Sequence, residues 1–204
     1  MFITFEGPEG SGKSSHIPLL AQYLKDHGYN VLTTREPGGT PISDQVRTIL
    51  MDMRNQGMHP RAEILLFCAA RAQLVEQVIR PALETNTIVL CDRYADSTLA
   101  YQGYGHGLDL TVLRSLLHFA TGGLFPNLTL LLDVEPRTGL QRRKNGGEWN
   151  RMDAFTLAFH ERVRAGYLNL AAEEPSRFRV IDAAQPMDKV QADIRSTVLS
   201  AIKA

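Results

Sequence analysis

The chain has 204 residues, 44% hydrophobic and 22% charged, the profile of one soluble globular domain long enough to bury a full core. Its 22 Lys and Arg balance its 22 Asp and Glu, so no global charge points to a nucleic acid or a membrane surface, and anionic ligands must be met by local clusters. No apolar run approaches the roughly 18 residues of a membrane span, no export signal opens the sequence, and Cys68 and Cys91 lie far apart in apolar segments, so we expect a cytoplasmic protein with buried, reduced thiols.

Short β-type runs alternate with longer segments of helical period, the pattern of an α/β protein with a parallel sheet. The first strand is predicted at Phe2 to Glu6, followed by GPEGSGKS at 7–14 and a helix near 13–27. A second strand covers Val31 to Arg35, and helices follow near 42–51 and 61–83, with Pro81 marking the last turn of the latter. Next come a strand at Thr87 to Cys91, a helix near 109–121 and a strand at Leu128 to Asp133. Asn127-Leu128-Thr129 fits a glycosylation sequon, but it opens an apolar strand and is set aside. A helix near 136–144 leads into KNGGEWN, Lys144 to Asn150, which reads as a mobile loop. Helices near 153–173 and 187–202 bracket a last strand at Phe178 to Ile181. The strands are short and nearly continuous in apolar residues, as expected where helices cover both faces of a sheet.

Gly7, Gly12, Lys13 and Ser14 satisfy G-x-x-x-x-G-K-[ST] between a predicted strand and a predicted helix, the context this phosphate-binding motif requires. Its glycines let backbone N–H groups turn toward phosphate oxygens, and the helix N-terminus adds its positive dipole end. Lys13 reaches the outer phosphates, and the Ser14 hydroxyl is a ligand for Mg²⁺. Pro8, Glu9, Gly10, Ser11 and Ser15 complete the ATP-binding stretch. ATPases, GTPases and small-molecule kinases share this loop, so it does not name the reaction. No Asn-Lys-x-Asp stretch follows a late strand, which argues against a GTPase. The third strand instead runs into Asp92-Arg93-Tyr94, and ligands of such sheets sit beyond the carboxyl ends of the strands. There Asp92 can hold Mg²⁺ through water and Arg93 can clamp a second phosphate, although an isolated pair of this kind is more often a surface salt bridge.

The stretch LCDRYADSTLAYQG, Leu90 to Gly103, taken with GPEGSGKSS at the glycine loop and TREPGGT at Thr34 to Thr40, closely resembles the thymidylate kinase family. The three motifs stand in the family's order and at compatible spacing. The resemblance implies a P-loop kinase fold with a five-stranded parallel sheet, a single domain over 1–204 with a mobile lid at about 142–152, and a homodimer. It also implies ATP with Mg²⁺ as donor, dTMP as acceptor, and Ser14 and Asp92 as the metal-holding pair. A P-loop NTPase or nucleotide-sensing module without a small acceptor, or another nucleoside or nucleotide kinase, remains the alternative.

Phe67 and Arg71 are four apart on a helix and share a face, with Glu63 one turn earlier. From the helical pattern alone they read as a core aromatic and a snorkelling or paired arginine. The resemblance implies instead that thymine stacks on Phe67 and accepts a hydrogen bond from Arg71. By the same resemblance Arg93 and Arg47 clamp the dTMP phosphate, Ser97, Thr98 and Gln102 line the base pocket, and Tyr101 crowds the sugar's 2′ position. Glu36-Pro37 matches a turn that related enzymes often hold as a cis peptide. Glu9 is unfavourable beside triphosphate oxygens unless it points elsewhere, so it is expected to face the acceptor's 3′-hydroxyl or a metal-bound water.

Some members of the family carry an arginine where this chain has Gly10. Phosphoryl transfer relies on cations and positioning, so the missing charge must come from elsewhere. The source is expected in GLQRRKNGGEWNRMD, where Arg142, Arg143, Lys144 and Arg151 flank a glycine-bearing loop. The usual lid alternates three arginines, whereas this one has Arg142, Lys144 and Gly146. Lys13, Asp92, Arg93, Arg142, Arg143 and Arg151 are thus the expected catalytic set, with Arg137 and the Asp182 to Gln185 stretch as candidates beside adenine. The six histidines show no metal-ligand spacing and read as structural.

Overall fold

The computed structural model describes residues 1–146 and 149–203. Strands β1 (Phe2–Glu6), β2 (Val31–Arg35), β3 (Ile88–Asp92), β4 (Leu128–Asp133) and β5 (Phe178–Asp182) form one parallel sheet in the order β2-β3-β1-β4-β5. Thr4 on central β1 stands opposite Cys91 on one side and Thr129 on the other, and the two threonine hydroxyls share a 2.9 Å hydrogen bond inside the sheet. Because successive strand residues point to opposite faces, Phe2, Val89, Cys91 and Leu131 enter one core while Ile3, Phe5, Leu90 and Leu130 enter the other. Helices α1 (Lys13–Asp26) and α9 (Met187–Lys203) cover the second core. The first lies under α3 (Pro60–Leu74), α6 (Leu110–Thr121) and α8 (Leu157–Glu173). The remaining helices are α2 (Pro41–Met51), α4 (Arg80–Glu84), α5 (Ala95–Thr98) and α7 (Pro136–Gly146).

The expected strands and helices are present, with instructive differences. The helix predicted over 61–83 is interrupted by a π turn at Val75–Ile79, where the Arg80 N–H reaches back to the Val75 carbonyl. Pro81 follows at once and lacks the N–H that a regular helix would use, so the wider turn absorbs the break. A helical segment at 95–105 was not expected: α5 passes directly into a π turn at Leu99–Gly105. Its sequence ADSTLAYQGYG is rich in Ser, Thr and Gly, poor helix formers that tertiary packing overrides here. The predicted loop at Lys144 to Asn150 begins later, because α7 continues to Gly146; Gly147 and Glu148 lie outside the described residues. Helix α8 starts at Leu157 rather than near 153, where Thr156 caps it by accepting the Phe159 N–H. The sequon asparagine is a structural residue, Asn127 Oδ1 accepting the Phe2 N–H at 2.7 Å.

Candidate active site

Beyond the carboxyl ends of β1, β2 and β3 lies a cavity of about 550 Å³. The glycine loop forms one wall, Arg35 to Pro37, Arg47, Phe67 and Arg71 a second, and Asp92 to Tyr94 with Ser97, Thr98, Tyr101 and Gln102 a third. Arg142, Arg143, Asn150 and Met152 close it from above. The cavity therefore joins residues that the sequence spreads over more than 140 positions.

Lys13 curls over the loop it belongs to, its ammonium donating to the carbonyls of Gly7 (3.1 Å) and Pro8 (3.0 Å) and to Ser11 Oγ (3.1 Å). Burial and the nearby Arg93 charge lower its pKa to about 8, against the pull of Asp92, Glu9 and Glu6. The Ser14 hydroxyl donates to Asp92 Oδ2 at 2.8 Å, so the two expected metal-holding oxygens do meet. Gly10, at φ +67°, packs against the backbone of α7: a Cβ there would lie 1.9 Å from the Gly139 carbonyl oxygen. An arginine at this position is excluded by space as well as by backbone conformation.

Arg93 is one of two non-glycine residues at positive φ among the described residues, at +68°. Its guanidinium is spread across the site, Nη1 donating to the Gly7 carbonyl, Ser97 Oγ and Tyr167 Oη, and Nη2 to Glu9 Oε1 (2.8 Å) and Tyr101 Oη (3.0 Å). Glu9 thus points away from the phosphate cradle, toward Arg93 and the Tyr101 hydroxyl, which donates to it at 2.8 Å. Burial pushes the Glu9 carboxyl up, but the charges of Arg93 and Lys13 and the Tyr101 hydroxyl outweigh it and bring the pKa to about 2.

Arg71 is fully buried, with Nη2 2.6 Å and Nε 2.8 Å from Glu36 Oε2, Nη1 donating to Thr98 Oγ1 and Nη2 to the Tyr94 carbonyl. Burial raises the Glu36 carboxyl and Arg71 draws it back only in part, while Glu36 Oε1 stays buried with no partner among the described residues. Glu36–Pro37 is cis, as expected, and the Pro37 carbonyl accepts from Arg47 Nη1 at 3.0 Å. Phe67 stands half-buried in the cavity wall one turn before Arg71. Gln102 Nε2 donates to Glu63 Oε1 at 2.6 Å. Ser97 lines the cavity too, with its hydroxyl donating to Glu6 at 2.5 Å and accepting from Arg93.

In the segment expected to form a lid, Arg142 Nη1 donates to the Ala183 carbonyl at 2.9 Å, and Arg143 Nε reaches both oxygens of Asp153 at 3.2 Å. Arg151 departs from expectation. It is buried at 2% exposure, away from the cavity wall, with Nη2 2.6 Å from Glu63 Oε2 and Nε donating to the Leu50 carbonyl at 2.6 Å. The buried Glu63 carboxylate needs a countercharge, and Arg151 supplies it. Lys144 stands over the Trp149 ring at 5.4 Å. Of the candidates beside adenine, Ala183 and Gln185 line the cavity, whereas Arg137 is exposed and does not. Among the described residues no three His, Cys, Asp or Glu side chains gather as a metal site, and both cysteines are free and buried.

Sequence reasoning passed over Glu6 and Tyr167, and it placed Glu63 one turn before Phe67 without giving it a role. Glu6 ends the apolar strand FITFE, fully buried, and accepts from the Tyr94 N–H (2.8 Å), Ser97 Oγ and Tyr167 Oη (2.9 Å). Burial and the charge of Asp96 raise its pKa to about 7. A lone acid closing a buried central strand was the available signal.

A sequence model of the family described as thymidylate kinase matches residues 5–194. The chain is 53% identical to the thymidylate kinase of Desulfovibrio desulfuricans, covering 97% of this chain and 94% of that one. It is 50% identical to that of Deinococcus radiodurans, covering 97% and 96%. A crystal structure of thymidylate kinase from Ehrlichia chaffeensis superposes with a TM-score of 0.81 at 34% identity, covering 97% of this chain and 98% of that one. With a glycine loop at one cavity, a family model that matches residues 5–194 and relatives alike over nearly their whole length, the chain belongs to the thymidylate kinase family of ATP:dTMP phosphotransferases.

Proposed function

We propose that this chain transfers the γ-phosphoryl group of ATP to dTMP across the single cavity described above, the glycine loop holding the donor and α3 with the Leu99–Gly105 turn holding the acceptor. The observation that carries this reading is the continuity of that space: Lys13 and Ser14 line it at one end, Phe67, Arg71 and Gln102 at the other, and Arg93 stands between.

In this reading the loop N–H groups and Lys13 hold the β- and γ-phosphates, while Arg93 and Arg47 hold the dTMP phosphate. One oxygen of that phosphate bonds to the γ-phosphorus as the bond from phosphorus to the β-bridging oxygen breaks, and ADP leaves with that oxygen. The attacking group is already an oxyanion near neutral pH, so no general base is needed. Glu9, ionised beside Arg93, and Tyr101 face the sugar, Glu9 toward its 3′-hydroxyl. Phe67 and Arg71 take the thymine with Thr98 and Gln102, and Glu36 with Pro37 braces Arg71 and Arg47. Arg142 and Arg143 supply the cations that Gly10 does not, and Arg151 positions the lid. The Ser14 and Asp92 oxygens are hard donors that would hold Mg²⁺, directly or through water, and such an ion would supply charge neutralisation for the donor's phosphates.

Single-domain architecture with a lid over 142–152, a cytoplasmic location and a homodimer belong to the same proposal. Exposed apolar side chains on α2 (Ile42, Ile49), α3 (Leu65) and α6 (Val112, Phe119, the last 87% exposed) support pairing through that layer. A coupled ADP-release assay across dTMP, dUMP, CMP, GMP and shikimate tests the reaction. Preference for any acceptor lacking a thymine-like base would sink it.

A further inference from the structure

Glu63 is a buried carboxylate, 1% exposed, that does not itself line the cavity, yet it holds Gln102, which does, and Arg151, which does not. Oε1 accepts from Gln102 Nε2 at 2.6 Å and has His106 Nε2 at 3.4 Å, and Oε2 lies 2.6 Å from Arg151 Nη2. An ionised carboxylate only accepts hydrogen bonds, whereas a glutamine amide presents a donor at one end and an acceptor at the other. The Gln102 amide therefore has one allowed orientation: its NH₂ faces Glu63, and its carbonyl oxygen is left for the cavity that Gln102 lines. Burial opposes the charge of Glu63, but His106, Arg151 and Gln102 together hold its pKa below the usual carboxylate range, so the group stays an acceptor. Gln102 lies in the π turn at Leu99–Gly105 and is buried there beside Tyr101.

We propose that Glu63 is a specificity-positioning residue: it locks the Gln102 amide with its oxygen toward the base, so that the pocket accepts a pyrimidine carrying an N3–H and rejects one carrying an N3 lone pair. The inference rests on the reading of Gln102 as part of the acceptor pocket. A carbonyl oxygen opposite N3–H gains a hydrogen bond, whereas opposite a lone pair it leaves two acceptors facing each other. Cytosine-type bases are thereby excluded by a residue that never touches them.

The test is competition between dTMP and 5-methyl-dCMP, which share the methyl group, sugar and phosphate. The ratio of their kcat/KM values in one preparation is independent of the fraction of active enzyme. In Glu63→Gln the amide at 63 both donates and accepts, Gln102 is free to turn over, and the preference for dTMP should fall about tenfold or more. Because this change leaves Arg151 without its countercharge, Glu63→Gln/Arg151→Met is read alongside it as a neutral pair of similar volume, with the same fall expected. Gln102→Leu should also lower the preference, and adding Glu63→Gln to it should change the ratio no further. A ratio within twofold of wild type in both Glu63 variants, while Gln102→Leu shifts it, overturns the inference and leaves the acceptor pocket standing. No shift in Gln102→Leu overturns the inference together with that placement of Gln102, and failure of the wild-type chain to use dTMP refutes the functional reading itself.

Discussion

Replacing Gly139 with alanine tests how tightly α7 is seated on the glycine loop. A Cβ at 139 would lie 2.1 Å from the Glu9 carbonyl oxygen, and one at Gly10 would lie 1.9 Å from the Gly139 oxygen, so the two backbones touch directly. Neither partner is a flexible side chain that could swing aside. Ordinary contact begins near 3.4 Å, so α7 and the loop must part by about 1 Å, a displacement that costs on the order of 10²-fold in rate when it falls between reacting groups. Two opposing terms decide the stability. Alanine in place of glycine favours a helix by about 1 kcal/mol, whereas overpacking a rigid contact costs about 1–3 kcal/mol. We therefore expect Gly139→Ala to lower kcat about 10²-fold and to lower Tm slightly, with the KM for ATP rising and that for dTMP little changed, because α3 and the Leu99–Gly105 turn are untouched. ADP release coupled to NADH oxidation reads the kinetics, and calorimetry reads Tm. A kcat within twofold of wild type with a raised Tm would refute the reasoning, since that is what helix propensity alone predicts.

Glu9→Gln addresses a pH dependence whose sign is set by the lowered pKa of Glu9, about 2 against 4.5 for the free group. Between these values the unfolded chain binds more protons, so the wild type loses up to about 3 kcal/mol as pH falls from 4.5 to 2; urea titrations across that window should show a shallower loss in the variant, and parallel curves would refute the shift. Arg71→Ala leaves Glu36 buried and unpaired, so stability should fall by about 3–5 kcal/mol and the KM for dTMP should rise, measured by denaturant unfolding and initial rates. If stability stays within 0.5 kcal/mol or so, the pair is not the buried link described here. Arg142→Ala and Arg151→Ala should separate: the first lowers kcat about 10²-fold with Tm nearly unchanged, while the second lowers Tm because Glu63 loses its countercharge. The opposite pattern would return Arg151 to the reacting phosphoryl group.

The parts of the site that were legible in the sequence are those whose chemistry is local. GPEGSGKS declares itself because glycine spacing, a lysine and a serine must follow one another along the chain, and the strand before it and the helix after it are set by short-range pattern. Glu9 was legible in direction, since an acid beside phosphates has to turn away, and the structure turns it onto Arg93 and Tyr101. The helical run at 95–105 was not legible, because its Ser, Thr and Gly residues disfavour helix and its π winding breaks the 3.6-residue period that marks one. Arg151 looked like Arg142 and Arg143, but a carboxylate 88 positions upstream and the Leu50 carbonyl hold it in the interior.

By itself, then, the sequence determined the strands, most of the helices, the glycine loop and the family, because each depends on residues adjacent in the chain or on motifs kept whole. The tertiary structure decided the partnerships: Arg71 with Glu36, Arg93 with Glu9, Arg151 and Gln102 with Glu63, and Gly10 with Gly139. Pattern along a chain reports which groups are costly to bury, but which group meets each of them is set by how the sheet and its helices pack in three dimensions.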